Sequence, residues 1–440
     1  MVNNMQEYDI IIIGAGPGGY ETALYAKEKG LSVLLVEKDK IGGTCLNCGC
    51  IPTKTYNAIA KEIYNIKESD KIGINATYNF DFSKAKERKE SVVSELSSGI
   101  NFLLKKASVD LINGKARLKD KNTIIVNDEE YKSKYIIIAT GSHNLNNIIK
   151  GSDNALDSTS LLDINEVPKK LAIIGGGVIG VEMACIFNQF GSSVTIYEGL
   201  DSILANLDRE LSRRITSYLT RQSISINTKT LVKEIKANSL IFEKNANTFE
   251  EEYDAILLSI GRCPNIDGLG LDEVGIDYNK KGIITDDTFK TNIPNIYAIG
   301  DCNGKTMLAH YASYSGQVAV DDILGKTTLK YPCPSAIFSI PEIASVGYTE
   351  EELKNEGIEY KVNKVMYRSN GKALALNESE GFIKTLIVED KLVGCHIIGY
   401  DASTLIHEAM LVMNANINCS EVKKFIFAHP TLSELFKNSL

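Results

Sequence analysis

An α/β architecture is the fold class this chain predicts, with two parallel-sheet units of the same design and a mixed C-terminal segment. Three observations carry it. An apolar strand at 8–13 is followed by Gly14-x-Gly16-x-x-Gly19, a helical stretch to about Gly30 and a second strand ending at Glu37. From Lys170 the same order recurs: a strand at 171–174, Gly175-x-Gly177-x-x-Gly180, a helix to Gly191 and a strand ending at Glu198. From about Cys333 the pattern changes to alternating strands at 336–340, 382–389 and 391–398, with two helices.

The two N-terminal segments repeat each other closely. From first glycine to acid the interval is 23 residues in both, 14 to 37 and 175 to 198. This is the Rossmann signature, whose glycines let the backbone approach a pyrophosphate at a helix N-terminus. The acid at the end of the second strand accepts hydrogen bonds from an adenosine ribose. A lone GxGxxG can be a mere tight turn, but here strand, helix and acid are all in place. Two copies suit the passage of a hydride between two carriers, a tightly held flavin and an exchangeable nicotinamide. Two further strand ends, YIIIATG at 135–141 and AILLSIGR at 255–262, would each return the chain to its own nucleotide domain. NIYAIGD at 295–301 reads as a strand ending on an acid, followed by a helix from about Met307.

Bulk properties narrow the classes. A chain of 440 residues suggests two to four domains. Hydrophobic content of 44% and charged content of 24% are ordinary for a globular protein. A net charge of −8 argues against nucleic acid as a partner. No apolar run approaches the roughly 18 residues of a membrane span, so no membrane role is expected. The strand beginning near Tyr8 leaves no room for a cleaved targeting segment, and a cytoplasmic location is the expectation.

Of the nine cysteines, Cys185, Cys263, Cys302, Cys333, Cys395 and Cys419 stand singly and read as small buried hydrophobes. The stretch 42–54, GGTCLNCGCIPTK, is different. Cys45 and Cys50 are separated by four residues and can store two electrons as a disulfide or a dithiol. A reducing cytosol permits such catalytic disulfides while leaving structural ones rare. Between them Cys48 completes Cys45-x-x-Cys48-x-Cys50, but the nearby sequence offers no fourth metal ligand, so no metal is expected. Cys48 is either a bystander or a thiol able to scramble the pair. His407 begins His-Glu-x-x with Leu411 where a second zinc-binding His would stand, so it reads as an ordinary helix residue.

With these pieces in place the chain resembles the flavoprotein disulfide reductases from about residue 8 to 437. The most specific marks are GGTCLNCGCIPTK, AIGD at 298–301 and HPTLSE at 429–434. The resemblance implies two Rossmann-like dinucleotide-binding domains plus a C-terminal α+β dimerisation domain. Its layout is 1–143 for the first part of the FAD-binding domain, 144–264 for the NAD-binding domain, 265–332 for the second, central part and 333–440 for the dimerisation domain. Gly14, Gly16, Gly19 and Glu37 match the FAD fingerprint, with Gly141 and Lys54 also at the FAD. Asp301 matches the acid at the flavin's ribityl region, and Leu308, Ala309 and His310 would lie by the flavin pyrimidine. Gly175, Gly177, Gly180, Glu198 and Gly261 match the NAD site. Cys45 would exchange with substrate, Cys50 would contact the flavin, and Lys54 and Glu182 match an ion pair beside flavin N5. His429, oriented by Glu434, would be the acid–base, supplied by the partner subunit of an obligate homodimer.

The chemistry is coherent. A free thiol has a pKa near 8.5 and is a poor nucleophile until deprotonated. An imidazole titrating near neutral pH can take and return that proton, and a carboxylate can fix its tautomer. His429 and Glu434 can meet only if the chain turns between them, which Pro430 makes plausible; the bland alternative for His429 is a helix cap. Glu198 welcomes the 2′-hydroxyl of NAD, and no Lys or Arg stands between it and Arg209 to receive a 2′-phosphate. Val178 is small where glutathione reductases carry a tyrosine, HPTLSE is closer to the dihydrolipoamide dehydrogenases, and the chain ends at Leu440 without the cysteine pair of mercuric reductases. Cys48, the modest length, and His143-Asn144 in place of a proline depart from the family pattern. The expected activity is oxidation of protein-bound dihydrolipoyl groups with reduction of NAD, for a lipoylated carrier protein of a 2-oxo-acid dehydrogenase or glycine cleavage complex. NADH-dependent reduction of another small disulfide or of a metal ion is the alternative, and a non-catalytic scaffold a remote one.

Overall fold

A computed structural model describes residues 7–146, 148–328 and 330–440. The chain forms two compact units. The first comprises Met1–Thr55, Lys86–Leu145 and Gly261–Leu329, and the second Tyr56–Ala85, Asn146–Ile260 and Lys330–Leu440.

The first unit is built on a seven-stranded sheet. Glu7–Ile13 lies between Val33–Glu37 and Glu129–Ile138, parallel to both, with Ile12 opposite Leu35 and Ile137. Asp110–Asn113 and Ile296–Ala298 extend the parallel part, and the antiparallel strands Thr123–Val126 and Ala116–Asp120 complete it. Parallel strands covered on both faces read as continuous apolar runs. Alternate side chains then serve opposite cores: Ile11, Ile13, Leu34 and Val36 fill one, Ile10, Ile12, Val33 and Leu35 the other. The second of these cores also takes in Ala23 and Ala26 of helix Pro17–Glu28 and Val318 to Val320 of helix Ala309–Ile323. Glycine permits the close approach of these two helices, since a Cβ on Gly316 would overlap Thr22.

The second unit repeats the parallel design on a smaller scale. Lys170–Ile174 lies between Ser193–Tyr197 and Ala255–Leu258, with Ser225–Asn227 outside. Helix Val178–Phe190 is buried along most of its length, through Val181, Ala184, Cys185, Ile186 and Phe187. A separate antiparallel ribbon spans Thr230–Ile235, Ser239–Lys244 and Asn247–Glu252. The C-terminal part forms a five-stranded antiparallel sheet in the order Ser335–Ile337, Ile343–Gly347, Lys391–Gly399, Gly381–Val388, Lys361–Met366. Helix Ala402–Asn414 contributes Leu405, Ile406 and Ala409 to the core of that sheet.

The alternating pattern had shown three of these five strands. Five helices rather than two follow residue 333, because all but Ala402–Asn414 are too short to show a clear helical period. Cys185, Cys302, Cys395 and Cys419 are buried as expected, whereas Cys263 and Cys333 are half-buried.

Candidate active site

Both glycine loops have the same geometry. Gly14 follows its strand at φ +106° and Gly175 follows its own at φ +107°, left-handed backbone that favours glycine. A Cβ on Gly14 would overlap the Ala139 carbonyl, and one on Gly175 the Ser259 carbonyl. Gly19 and Gly180 allow no Cβ either, because the carbonyls of Gly14 and Gly175 occupy the space. Gly16 and Gly177 are the N-caps of Pro17–Glu28 and Val178–Phe190, and neither helix has a side-chain cap. Such open N-termini present backbone N–H groups to an anion.

Each acid is pinned by its own loop. Glu37 Oε2 accepts from Ala15 N (2.7 Å) and Oε1 from Asp39 N (2.9 Å). Glu198 repeats this with Gly176 N (2.7 Å) and Leu200 N (2.8 Å). The glycine cradles, the uncapped helices and the placed acids fit a dinucleotide in each unit.

The cysteine segment is attached to the first loop. Gly42 donates to the Ala15 carbonyl (2.8 Å), and a Cβ on Gly43 would come within 2.8 Å of Gly16 Cα. Left-handed Gly42 and Gly43 turn the chain into helix Gly43–Cys48, and Gly49 separates it from helix Cys50–Lys67. The break brings Cys45 and Cys50 together as thiols sharing a hydrogen bond. That bond first, and burial second, hold the Cys45 thiol well above its ordinary value, while the Lys54 ammonium opposes them. Lys54 follows Cys50 by four residues on one helix and so shares its face. Cys48 ends the preceding helix as a half-buried thiol. Among the described residues no group of three or more His, Cys, Asp or Glu is placed to hold a metal ion.

Asp301 lies in the turn Gly300–Asn303 after strand Ile296–Ala298. Its Oδ2 accepts from Ser142 Oγ (2.5 Å), which accepts in turn from Arg262 Nε (2.7 Å). Arg262 also donates to the Ser142 carbonyl (2.8 Å) and to Asn144 Oδ1 (2.8 Å), across the paired strands Ser142–Asn144 and Arg262–Pro264. The neighbouring Gly141 has φ +71°, and the Gly261 carbonyl accepts from Leu145 N (3.0 Å). Leu308 is the N-cap of helix Ala309–Ile323, so Ala309 and the exposed His310 open that helix. Sequence reading missed Ser142 and Arg262; an arginine directly after an apolar strand end was the available signal.

In the second unit Glu182 is 4% exposed and its Oε1 accepts from Phe338 N (2.9 Å). His429 and Glu434 meet, with His429 Nδ1 3.0 Å from Glu434 Oε1, while Thr431 N donates to Glu434 Oε2 (2.9 Å). The Thr431 N–H first, and His429 second, hold the Glu434 carboxyl below its ordinary value. Leu432, Leu435 and Phe436 bury the apolar side of this segment and leave His429 exposed. His407 lies within helix Ala402–Asn414, as expected.

The first unit carries a dinucleotide cradle and a redox-capable thiol pair, and the second a dinucleotide cradle and a carboxylate-held imidazole. Residues 8–316 match the pyridine nucleotide-disulphide oxidoreductase family, and residues 333–440 match that family's dimerisation domain. The chain belongs to the pyridine nucleotide-disulphide oxidoreductases. As a member of that family it is an FAD-dependent, NAD-linked disulfide oxidoreductase. Its dimerisation domain supports a homodimer. Dihydrolipoyl dehydrogenase of Bacillus subtilis is 41% identical over 98% of this chain and 95% of its own. That of Mycoplasma pneumoniae is 39% identical over 97% and 96%. The HOCl-induced flavoprotein disulfide reductase RclA from Escherichia coli superposes with a TM-score of 0.86 at 29% identity, over 97% of this chain and 98% of its own. No helix among the described residues is long and apolar enough to cross a membrane.

Proposed function

We propose that this oxidoreductase oxidises protein-bound dihydrolipoyl groups to lipoyl and reduces NAD. The observation that carries the reading is the Cys45–Cys50 pair, joined by a thiol hydrogen bond in a turn packed on the first glycine loop. The identity to dihydrolipoyl dehydrogenases over nearly the whole chain supports the choice of substrate. When bound, FAD and NAD supply a two-electron relay.

The chain's own residues perform the exchange. Starting from a Cys45–Cys50 disulfide, one substrate thiolate attacks Cys45 Sγ, forming a mixed disulfide and releasing Cys50 as thiolate. His429 of the partner subunit removes the proton from the second substrate thiol, and Glu434 steadies the imidazolium. That thiolate attacks the substrate sulfur of the mixed disulfide, closing lipoyl and releasing Cys45, to which His429 returns the proton. Substrate is oxidised by two electrons and the cysteine pair reduced by two. The raised Cys45 thiol suits a proton kept on the exchanging sulfur in this dithiol state.

Gly14, Gly16, Gly19, Glu37, Gly141, Asp301 and the segment Leu308, Ala309, His310 would hold FAD, with Lys54 and Glu182 beside its reactive edge. Gly175, Gly177, Gly180, Glu198 and Gly261 would hold NAD. The lipoyl group arrives on a carrier protein of a 2-oxo-acid dehydrogenase or glycine cleavage complex. A reducing cytoplasm suits a chain in which all cysteines outside the 42–54 stretch stand singly. The likeness to a disulfide reductase favours one second reading, NADH-dependent reduction of another small disulfide.

The test mixes the purified yellow protein with NAD and dihydrolipoamide and follows NADH absorbance. NADH formation that disappears in Cys45→Ser and His429→Gln is the expected result. A yellow protein inert with dihydrolipoamide, yet consuming NADH with another disulfide, would move the reading to the second substrate class.

A further inference from the structure

A buried charge cluster in the second unit is joined to the second glycine loop by a continuous run of hydrogen bonds. Lys384 sits mid-strand in Gly381–Val388, opposite Lys364 and His396, and is 2% exposed. Its Nζ donates to Asp208 Oδ2 (2.9 Å) and Oδ1 (3.1 Å) and to Glu350 Oε2 (2.6 Å), with Glu210 Oε2 at 3.7 Å. Asp208 is 1% exposed. A lysine so deep is tolerated only with its charge matched. Apolar replacements of buried ion pairs often fold as stably, so holding a register is the better-attested use of such pairs.

Asp208 carries the connection onward. It caps helix Arg209–Arg221, accepting from Glu210 N at Oδ1 (3.1 Å) and from Ser212 N at its carbonyl (3.2 Å). Ser212 Oγ donates to the Leu204 carbonyl (2.7 Å), and Leu204 N donates to the Gly176 carbonyl (2.8 Å). Gly176 N then donates to Glu198 Oε2 (2.7 Å). Leu204 holds φ +49°, a left-handed backbone that leucine adopts only where its surroundings impose it. A Cβ on Gly176 would come 2.5 Å from Ile203 Cγ2, so the 199–207 segment lies hard against the glycine turn.

We propose that Lys384 is a positioning residue for the nicotinamide dinucleotide. By holding Asp208, it sets the 199–207 segment against which the loop 175–180 and Glu198 are placed. The inference rests on the assignment of that loop to the nicotinamide dinucleotide. Geometry of this kind bears on ligand binding and leaves the reacting groups alone, so it predicts a change in KM without one in kcat.

The test measures NADH oxidation by the holoenzyme with ferricyanide as acceptor, which needs no disulfide substrate. Lys384→Met is expected to raise KM for NADH about tenfold, the scale of coupling carried through a packed, hydrogen-bonded run, with kcat and the visible flavin spectrum unchanged. Asp208→Asn keeps the shape and the cap acceptor but loses the charge, and moves KM the same way. It decides the matter should Lys384→Met fail to fold. An unchanged KM in the folded variants, with a lowered melting temperature alone, would overturn the proposal and leave the cluster a structural one. Glu198→Ala separates the underlying assignment: an unchanged KM for NADH there would remove the site itself, and the inference with it.

Discussion

His429 faces outward while Leu432, Leu435 and Phe436 fasten its segment to the core, so the imidazole is presented on a rigid base. Removal of a positioned acid–base slows turnover by about 10² to 10⁴, the loss expected for His429→Gln in dihydrolipoamide oxidation. Glu434 has its carboxyl held below its usual range by Thr431 N–H and His429. A depressed carboxylate stays ionised as pH falls past its ordinary value, so the clamp is fully present between about pH 5 and 8. Glu434→Gln should therefore lower kcat for dihydrolipoamide at pH 8, where the carboxylate is fully ionised; an unchanged kcat there would contradict it. His429 and Glu434 were legible in the sequence because they lie only five positions apart. The Arg262–Ser142–Asp301 run was not, since its members come together across 120 and 159 residues, and Lys384 finds Asp208 across 176. Partners so distant leave no local period.

At the scale of elements, the two glycine loops give a matched pair of expectations. Gly19→Ala and Gly180→Ala each force a Cβ onto the carbonyl of the loop's first glycine. The first should yield protein with little bound FAD, read from its visible absorbance. The second should stay yellow yet require much more NAD for half-maximal rate. Strand pairing supplies another. Asp9 accepts from Lys134 Nζ (2.8 Å) and from Ser32 N (2.8 Å), and these bonds, Lys134 first, lower its carboxyl to about 2. The stabilisation is present above the ordinary value of 3.8 and lost as pH falls through about 2. Asp9→Asn should lower the melting temperature by about 1–2 °C at pH 7, a gap that narrows below about pH 4. The strands flanking both glycine loops were readable as buried apolar runs. Lys361–Met366 was not, because its side chains are largely solvated and its lysines mask any alternation.

For the whole molecule, the repeated cradle and three strands of the C-terminal sheet were legible because each announces itself locally, by glycine spacing or by alternation. The division of Lys54 and Glu182 between the two compact units was not, since compactness arises from pairings no short window contains. Supply of His429 by the partner subunit, as proposed, has a distinctive consequence. Cys45→Ser and His429→Gln homodimers should each be inactive. Mixed, dissociated and reassociated at random, they should regain about a quarter of wild-type activity, because half the dimers then carry one intact site of two. No recovery would place His429 in service of its own subunit.

Glu198 also bears on how this enzyme could change over evolutionary time. Its carboxylate fastens the backbone of the very turn it is expected to complement, at Gly176 and Leu200. An arginine there, the simple route to a phosphorylated coenzyme, would release both backbone donors before winning any contact with phosphate. Under the role proposed for Glu198, coenzyme preference would be written into the loop's own scaffolding. A lineage switching coenzymes must rebuild the turn and the recognition residue together, or pass through a form that binds neither coenzyme well.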